Sequence, residues 1–177
     1  RINLYRLFLL ASTEILKPFG QSGFIVPLTI LSDSFSFGTR KRLFETMRFV
    51  QVEAFPQKDD SSNRVFIDAK QSTCIILLQK SSSVGVPMCV RTHPGKDIVE
   101  TSPTYSAAQD ALFTFTPNQH AVPLVSQGEW SILERRMHPR LGFQLSQYGN
   151  VYAGEICDNK ANARFISSDP NDGSLIL

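Results

Sequence analysis

The sequence contains few cysteines and no long apolar run. Its 177 residues include three cysteines, Cys74, Cys89 and Cys157, and no two of them have the spacing of a zinc knuckle. Apolar runs such as Leu7–Ala11 and Cys74–Leu78 are five residues long, whereas a transmembrane helix needs about 20. The odd cysteine count argues against a disulfide framework and favours a reducing interior.

Motifs of several common enzyme classes are also missing. The sequence has no G-x-S-x-G nucleophile elbow and no G-x-G-x-x-G or G-x-x-x-x-G-K-[ST] loop. The histidines His93, His120 and His138 are far apart, so we expect surface or capping roles for them rather than a metal site. Composition leaves a Ser–His–Asp or Cys–His arrangement open without pointing to one.

The composition that remains is that of an ordinary globular chain. Apolar residues make up 42% and charged residues 19%, and the formal net charge of +2 is too small to indicate nucleic-acid binding. Basic residues are in excess over the first fifty positions, where Arg40, Lys41 and Arg42 are adjacent. We interpret this cluster as a solvated helix face rather than a phosphate-binding patch.

Periodicity predicts an α/β arrangement over the first eighty residues. A helix beginning after Asn3 has one apolar stripe that is predicted to be buried, formed by Leu4, Leu7, Phe8, Ala11 and Ile15. The continuous apolar run Ser22–Leu28 predicts a strand buried on both faces in the middle of a sheet. A helix over Thr39–Met47, a strand over Arg48–Phe55 and a strand over Thr73–Lys80 follow, and the last two are expected to form an antiparallel hairpin.

The second half of the chain gives weaker patterns. Residues 81–120 contain four prolines and two short strand-like runs, VPMCVR and ALFTFT, so a connector or irregular sheet is expected there. The segment Gln127–Met137 is predicted to be a helix, with Trp130 and Leu133 on one face. Short strands are predicted over Gly149–Ile156 and Ala163–Ser167.

One weak pattern suggests a metal-dependent nuclease. Asp59 and Asp60 precede Asp68 and Lys70, and a carboxylate pair with a lysine is able to hold a divalent ion beside a scissile phosphate. Such triplets arise often by chance, so a polar loop is the preferred interpretation.

Three segments follow one another in a distinctive order. Asn3–Phe8 (NLYRLF) opens a helix that ends at Lys17-Pro18, Gly23–Pro27 (GFIVP) forms a strand, and Val65-Phe66 leads to Ser72–Lys80 (STCIILLQK). In order and spacing, residues 1–80 resemble the second half of the TaqI-like adenine-N6 DNA methyltransferases of type II restriction–modification enzymes. The resemblance implies the C-terminal half of a Rossmann-like sheet that binds S-adenosylmethionine.

The resemblance also assigns roles to individual residues. Phe8 matches the aromatic that packs on the adenine of S-adenosylmethionine, and Phe66 matches the aromatic placed against the flipped-out target adenine. Pro27 matches the proline that ends the preceding strand. From the residues alone, Phe8 is predicted to be a core position of its helix and Phe66 a cap on the hairpin.

This sequence departs from the family pattern in two respects. The family's L-K-P-G-G is here Leu16–Gly20 (LKPFG), with one glycine replaced by Phe19. The Asn/Asp-Pro-Pro-Tyr/Phe loop that accepts the target amine and the F-x-G-x-G cofactor loop are both missing, and in the family's order both would precede Arg1. We therefore expect a fragment that does not by itself methylate DNA or bind S-adenosylmethionine.

The expected layout has three parts. Residues 1–80 form half of the methyltransferase domain, 81–120 form a mixed α/β connector, and 121–177 begin the target-recognition domain. The resemblance implies double-stranded DNA and the upstream half of the domain as partners, with self-association through an exposed sheet edge, no membrane, and a prokaryotic cytoplasm. The alternatives are a non-catalytic DNA-specificity module and the metal-dependent nuclease described above.

Overall fold

A five-stranded mixed sheet forms the centre of the computed structural model, which describes residues 3–81 and 86–137. The strands are β1 (Gln21–Pro27), β2 (Arg48–Phe55), β3 (Thr73–Gln79), β4 (Pro87–Thr92) and β5 (Thr104–Ala108). The described helices are α1 (Leu4–Ile15), α2 (Phe37–Thr46), α3 (Gln109–Phe115) and α4 (Gln127–Met137), with short 3₁₀ turns at Leu28–Leu31 and Ser34–Ser36.

The strand order is β1-β3-β2-β4-β5. Strand β3 lies antiparallel between β1 and β2, β4 is parallel to β2, and β5 is antiparallel to β4. Strands β1, β2 and β4 therefore run in the same direction, and their carboxyl ends meet at one edge of the sheet, which we call the carboxyl edge.

Most elements predicted from the sequence are present. Strand β2 and helix α4 have the predicted bounds, and β2 and β3 form the predicted antiparallel pair. The sheet continues beyond the first eighty residues, because β4 and β5 lie within the segment expected to be a connector. The run ALFTFT, expected to be strand-like, lies in and beside helix α3, where Leu112 is fully buried. The strands predicted for Gly149–Ile156 and Ala163–Ser167 lie outside the described residues.

The apolar stripe of α1 is exposed, so the prediction that it is buried was wrong. Leu4, Leu7, Phe8 and Ile15 all face solvent, and Phe8 is 74% exposed. The side of α1 that meets the core carries Leu9 and Thr13. Periodicity correctly located a stripe of apolar residues, but it carries no information about which neighbour covers that stripe.

Strand β1 is at the edge of the sheet, not in its middle as the apolar run predicted. Among the described strands it pairs with β3 alone, and Ile25 is 56% exposed. Val26 on the opposite face is buried. Within residues 3–81 and 86–137, the strand thus has one covered face and one backbone edge without a neighbour.

Helices cover one face of the sheet and enclose the core. Its buried members come from every described strand and from α1 to α4, and they include Leu9, Leu43, Val52, Ile76, Leu112 and Trp130. Arg40 is also buried, so the prediction of a solvated Arg-Lys-Arg face was wrong for this residue, while Lys41 and Arg42 are exposed as predicted. Its guanidinium donates to the carbonyls of Ile30 (2.9 Å), Asp33 (2.7 Å) and Gln119 (2.7 Å). Burial lowers the pKa of Arg40.

The helices are short in relation to a bilayer. Within residues 3–81 and 86–137, none is both long and apolar enough to cross a membrane.

Candidate functional site

The carboxyl edge carries three loops. Residues 28–36 follow β1, residues 56–72 follow β2, and residues 93–103 follow β4. Ligands of open α/β sheets bind outside the carboxyl ends of parallel strands. The carboxyl edge is therefore the expected position of a ligand site.

Helix α1 begins at the carboxyl edge. The Tyr5 hydroxyl lies 3.5 Å from that of Ser36, and Arg6 donates to the carbonyl of Phe35. At the other end of α1, the Lys80 ammonium caps the carbonyls of Thr13 and Glu14 at 3.1 Å each. Because α1 runs antiparallel to β1, its exposed residue Phe8 lies in the half of the helix nearer the carboxyl edge.

Phe66 lies in the second of these loops and is 47% exposed. The loop is braced by Arg64, whose guanidinium donates to the carbonyls of Lys58 and Ile67. Its first and last residues are tied to each other at the ends of β2 and β3, because the Ser72 hydroxyl donates to the carbonyl of Pro56 at 2.7 Å. An exposed aromatic ring is thus presented on a loop whose two ends are fixed.

A buried polar cluster lies beside this loop, at the end of β4. His93 is fully buried, with Nε2 2.6 Å from Glu53 Oε2 and its ring stacked on Phe55 at a centroid distance of 4.8 Å. Arg91 lies 3.4 Å from the other oxygen of Glu53. The expectation that His93 has a surface or capping role was wrong, because its ring is fully buried. Its partner Glu53 is 40 residues away in sequence, so no local pattern indicated the contact.

The hydrogen bonds of His93 identify its neutral tautomer. The backbone N–H of Val99 donates to Nδ1 at 3.1 Å, so Nδ1 carries no proton and Nε2–H donates to Glu53. The Ser102 hydroxyl is 3.2 Å from the same Nδ1. Ser102, His93 and Glu53 thus have the order of a nucleophile, base and acid, but the Nδ1 lone pair already accepts the Val99 amide and is not free to take a proton from Ser102.

A shallow cleft of about 440 Å³ opens over this cluster. It is lined mainly by apolar groups, among them Pro56, Pro94, Val99 and Pro103, with the hydroxyls of Thr101 and Ser102. The cleft lies at the carboxyl ends of β2 and β4, between the second and third loops.

The carboxylates of the nuclease hypothesis do not form a metal site. Lys70 pairs with Asp59 at 3.1 Å, and Asp60 accepts from the amide and hydroxyl of Ser62. These Ser62 hydrogen bonds lower the pKa of Asp60. Among the described residues, no three His, Cys, Asp or Glu side chains are grouped so that they could hold a metal ion.

The structure therefore places both predicted aromatics at or near the carboxyl edge, with both side chains accessible. Sequence reasoning missed the polar cluster of Glu53, His93 and Ser102. The sequence signal for it was the pair of oppositely charged residues Glu53 and Arg91 within strands β2 and β4. His138, the third histidine, lies outside the described residues.

Comparison with solved structures finds proteins of restriction–modification systems. A protein described as a modification subunit of a type I restriction enzyme from Vibrio vulnificus YJ016 superposes with a TM-score of 0.48 and 13% identity, over 69% of this chain and 31% of that one. The EcoKI M protein superposes with a TM-score of 0.43 and 15% identity, over 70% of this chain and 27% of that one. The type IIG restriction endonuclease BpuSI superposes with a TM-score of 0.41 and 17% identity, over 84% of this chain and 12% of that one.

This chain thus spans less than a third of the length of each of these structures. Neither a protein-family model nor a curated protein matches the sequence. At these identities and TM-scores, the structural neighbours do not identify the function of this chain.

Proposed function

We propose that this chain is part of a site-specific adenine-N6 DNA methyltransferase of a restriction–modification system. In this proposal the sheet is the C-terminal half of a Rossmann-like methyltransferase sheet. Phe66 packs on the flipped target adenine, and Phe8 packs on the adenine of S-adenosylmethionine. The complete enzyme transfers the methyl group of that cofactor to the exocyclic amine of adenine in double-stranded DNA.

The observation that carries the proposal is the exposure of the two aromatics in places that suit these roles. Phe66 is half-exposed on a loop anchored at the ends of β2 and β3, and Phe8 projects from the half of α1 nearer the same edge. Contiguous exposed apolar patches mark binding surfaces. Phe8 belongs to such a patch with Leu4 and Leu7 on α1, and Phe66 lies next to the exposed side chain of Ile67. Base–aromatic stacking contributes about 1–3 kcal/mol, which offsets part of the cost of extracting a base.

The proposal also accounts for the exposed stripe of α1. Leu4, Phe8 and Ile15 face solvent, and no strand of the described part of the chain pairs with the outer backbone edge of β1. In the family the strand before the catalytic loop pairs with this edge. The upstream half of the domain, carrying the N-P-P-Y-type and F-x-G-x-G loops, is the partner that we propose for these surfaces.

The isolated chain is expected to bind S-adenosylmethionine too weakly to measure and to transfer no methyl group, because Phe8 is the one cofactor contact that the resemblance assigns to it. Titration calorimetry with the cofactor and a tritium-transfer assay on duplex DNA check this. Methyl transfer by the isolated chain would contradict the fragment interpretation.

The proposal as a whole is tested on the protein that includes the upstream half. After incubation with tritiated cofactor, digestion of the DNA to nucleosides should place the label in N6-methyladenine. Label in a methylated cytosine would contradict adenine specificity. Salt-dependent duplex binding without cofactor affinity would instead favour the non-catalytic DNA-specificity module.

A further inference from the structure

The loops over residues 56–72 and 93–103 are fastened to each other. The Lys96 ammonium donates to the carbonyl of Ser62 at 3.0 Å. The amide group of Asn63 occupies the space that a side chain at Gly95 would need. The turn that precedes Phe66 therefore rests on the first residues of the neighbouring loop.

That neighbouring loop is in turn fixed to the sheet by His93, together with a hydrogen bond of 3.0 Å from the Thr92 amide to the Pro103 carbonyl. The backbone N–H of His93 donates to the carbonyl of Ala54 at 2.8 Å, and its Nε2–H donates to Glu53, so both groups bind strand β2. On its other side the ring accepts from the Val99 amide and contacts the hydroxyl of Ser102. Four polar contacts thus join β2 to the beginning, middle and end of residues 93–103.

We infer that His93 is the positioning residue for Phe66. It fixes residues 93–103 on Glu53, and these residues hold the 56–72 loop through Lys96 and Gly95. The inference rests on the proposed function in one respect, because the proposed function is what assigns Phe66 a target base to bind. The mechanical connection between the loops can be measured without DNA or cofactor.

The physical reason for a buried histidine here is its two-sided hydrogen bonding. A neutral imidazole donates from one nitrogen and accepts at the other, so it satisfies the buried carboxylate of Glu53 and the partly buried amide of Val99 at the same time. A phenylalanine of similar shape could keep the stack on Phe55 but would leave Glu53 and the Val99 amide without this partner. Unpaired buried polar groups are costly, so replacing His93 by phenylalanine should loosen residues 93–103 before it loosens the rest of the sheet.

Hydrogen exchange of this chain provides the test. In His93→Phe we expect the Val99 amide and the amides of Asn63 and Ala69, which donate to Asp60 and Phe66, to exchange about tenfold faster. The amide of Ile76 in β3 serves as the internal reference for global stability. A faster Val99 amide with unchanged exchange at Asn63 and Ala69 would overturn the inference, because His93 would then hold its own loop alone.

Two further variants keep the test decisive should His93→Phe fail to fold. Lys96→Ala removes the contact to Ser62 from an exposed position, and it should speed exchange at Asn63 while leaving Val99 unchanged. Lys41→Ala, an exposed lysine of α2, is the matched control. Glu53→Gln keeps an oxygen that accepts from Nε2–H, so it should preserve most of the loop protection. Equal exchange in Lys96→Ala and Lys41→Ala would overturn the inference.

A second readout separates this inference from the proposed function. In the protein with its upstream half, fluorescence of 2-aminopurine at the target position reports base extraction. If Phe66→Ala leaves the signal unchanged, the proposed function fails. If Phe66→Ala changes it but His93→Phe does not, the positioning role fails.

Discussion

The role of Phe66 can be separated from that of a core residue by one truncation. Its ring is half-exposed, so Phe66→Ala should cost little folding stability but should weaken capture of a flipped adenine by about 1–3 kcal/mol, the usual contribution of base–aromatic stacking. Phe66→Trp should be milder, because it keeps an aromatic face. Fluorescence of 2-aminopurine at the target base in the longer protein measures this effect.

The matched control is an aliphatic neighbour on the same loop. Ile67 is also exposed, so Ile67→Ala removes apolar surface there without removing an aromatic ring. A larger effect of Ile67→Ala than of Phe66→Ala on base capture would argue against stacking at Phe66.

The polar cluster shows what residue-level reasoning could not obtain from the sequence. Glu53 and His93 are 40 residues apart, and they meet because β2 and β4 pair in parallel with Glu53 opposite Arg91. Strand pairing of this kind depends on register, which no local pattern near His93 encodes. The roles predicted for Phe8 and Phe66, by contrast, come from a resemblance that covers a long ordered segment, and they stay predictions.

At the scale of elements, the turn before β1 stores backbone strain at Phe19. Its φ of 62° is in the left-handed region that favours glycine, and the family pattern has a glycine at this position. The side chain is largely exposed, so little packing would be lost on its removal. Phe19→Gly should therefore raise the free energy of unfolding by about 0.5–1 kcal/mol, after the entropy of glycine in the unfolded chain is subtracted.

Thermal or urea unfolding measures this change, and Phe19→Ala is its control. Alanine removes the ring but keeps the strained conformation, so its stability should stay within about 0.5 kcal/mol of the original chain. Equal stabilisation by both substitutions would show that the ring, rather than the backbone, is responsible.

Helix α4 begins with a capping box that makes its start sensitive to acid. The amide and hydroxyl of Ser126 donate to Glu129 Oε2 at 2.7 and 2.8 Å, which holds the pKa of Glu129 below its usual 4.5. Because the folded pKa lies below the unfolded one, the stabilisation is present above pH 4.5 and is lost as the pH falls through the folded value.

We therefore expect the first turn of α4 to lose exchange protection as the pH falls below 4.5. The amide of Trp130, which donates to the Ser126 carbonyl at 2.9 Å, reports this opening. Glu129→Gln should remove the pH dependence of the exchange protection of this amide below pH 4.5. The same pH profile in Glu129→Gln and in the original chain would assign the effect to another group.

The elements themselves were largely predictable, whereas the buried faces of α1 and β1 were not. Local patterns gave the bounds of β2 and α4 because alternation and helical spacing are properties of short segments. The stripe on α1 and the run in β1 were assigned to the interior because they are apolar. Burial depends on which neighbour is present, and the described residues provide no cover for Leu4, Phe8, Ile15 or Ile25.

At the scale of the whole molecule, the uncovered surfaces predict association. Among the strands that the structure describes, none pairs with the outer backbone edge of β1, and Ile25 on that strand is 56% exposed. Edges of this kind pair with other chains unless a charge or proline blocks them. Together with the stripe on α1, this edge should make the chain self-associate as its concentration rises, and sedimentation velocity should show the average mass increasing.

A charge introduced on β1 distinguishes association by strand pairing from nonspecific hydrophobic association. Ile25→Lys places a charge beside the free edge and should restore a monomer, because the charge would have to be buried against a second strand. Ile132→Lys changes an equally exposed apolar residue on α4 and should leave the association intact. If the chain is a monomer at every concentration, the edge of β1 is not a binding surface. The upstream half of the sheet would then lose its proposed place beside that strand.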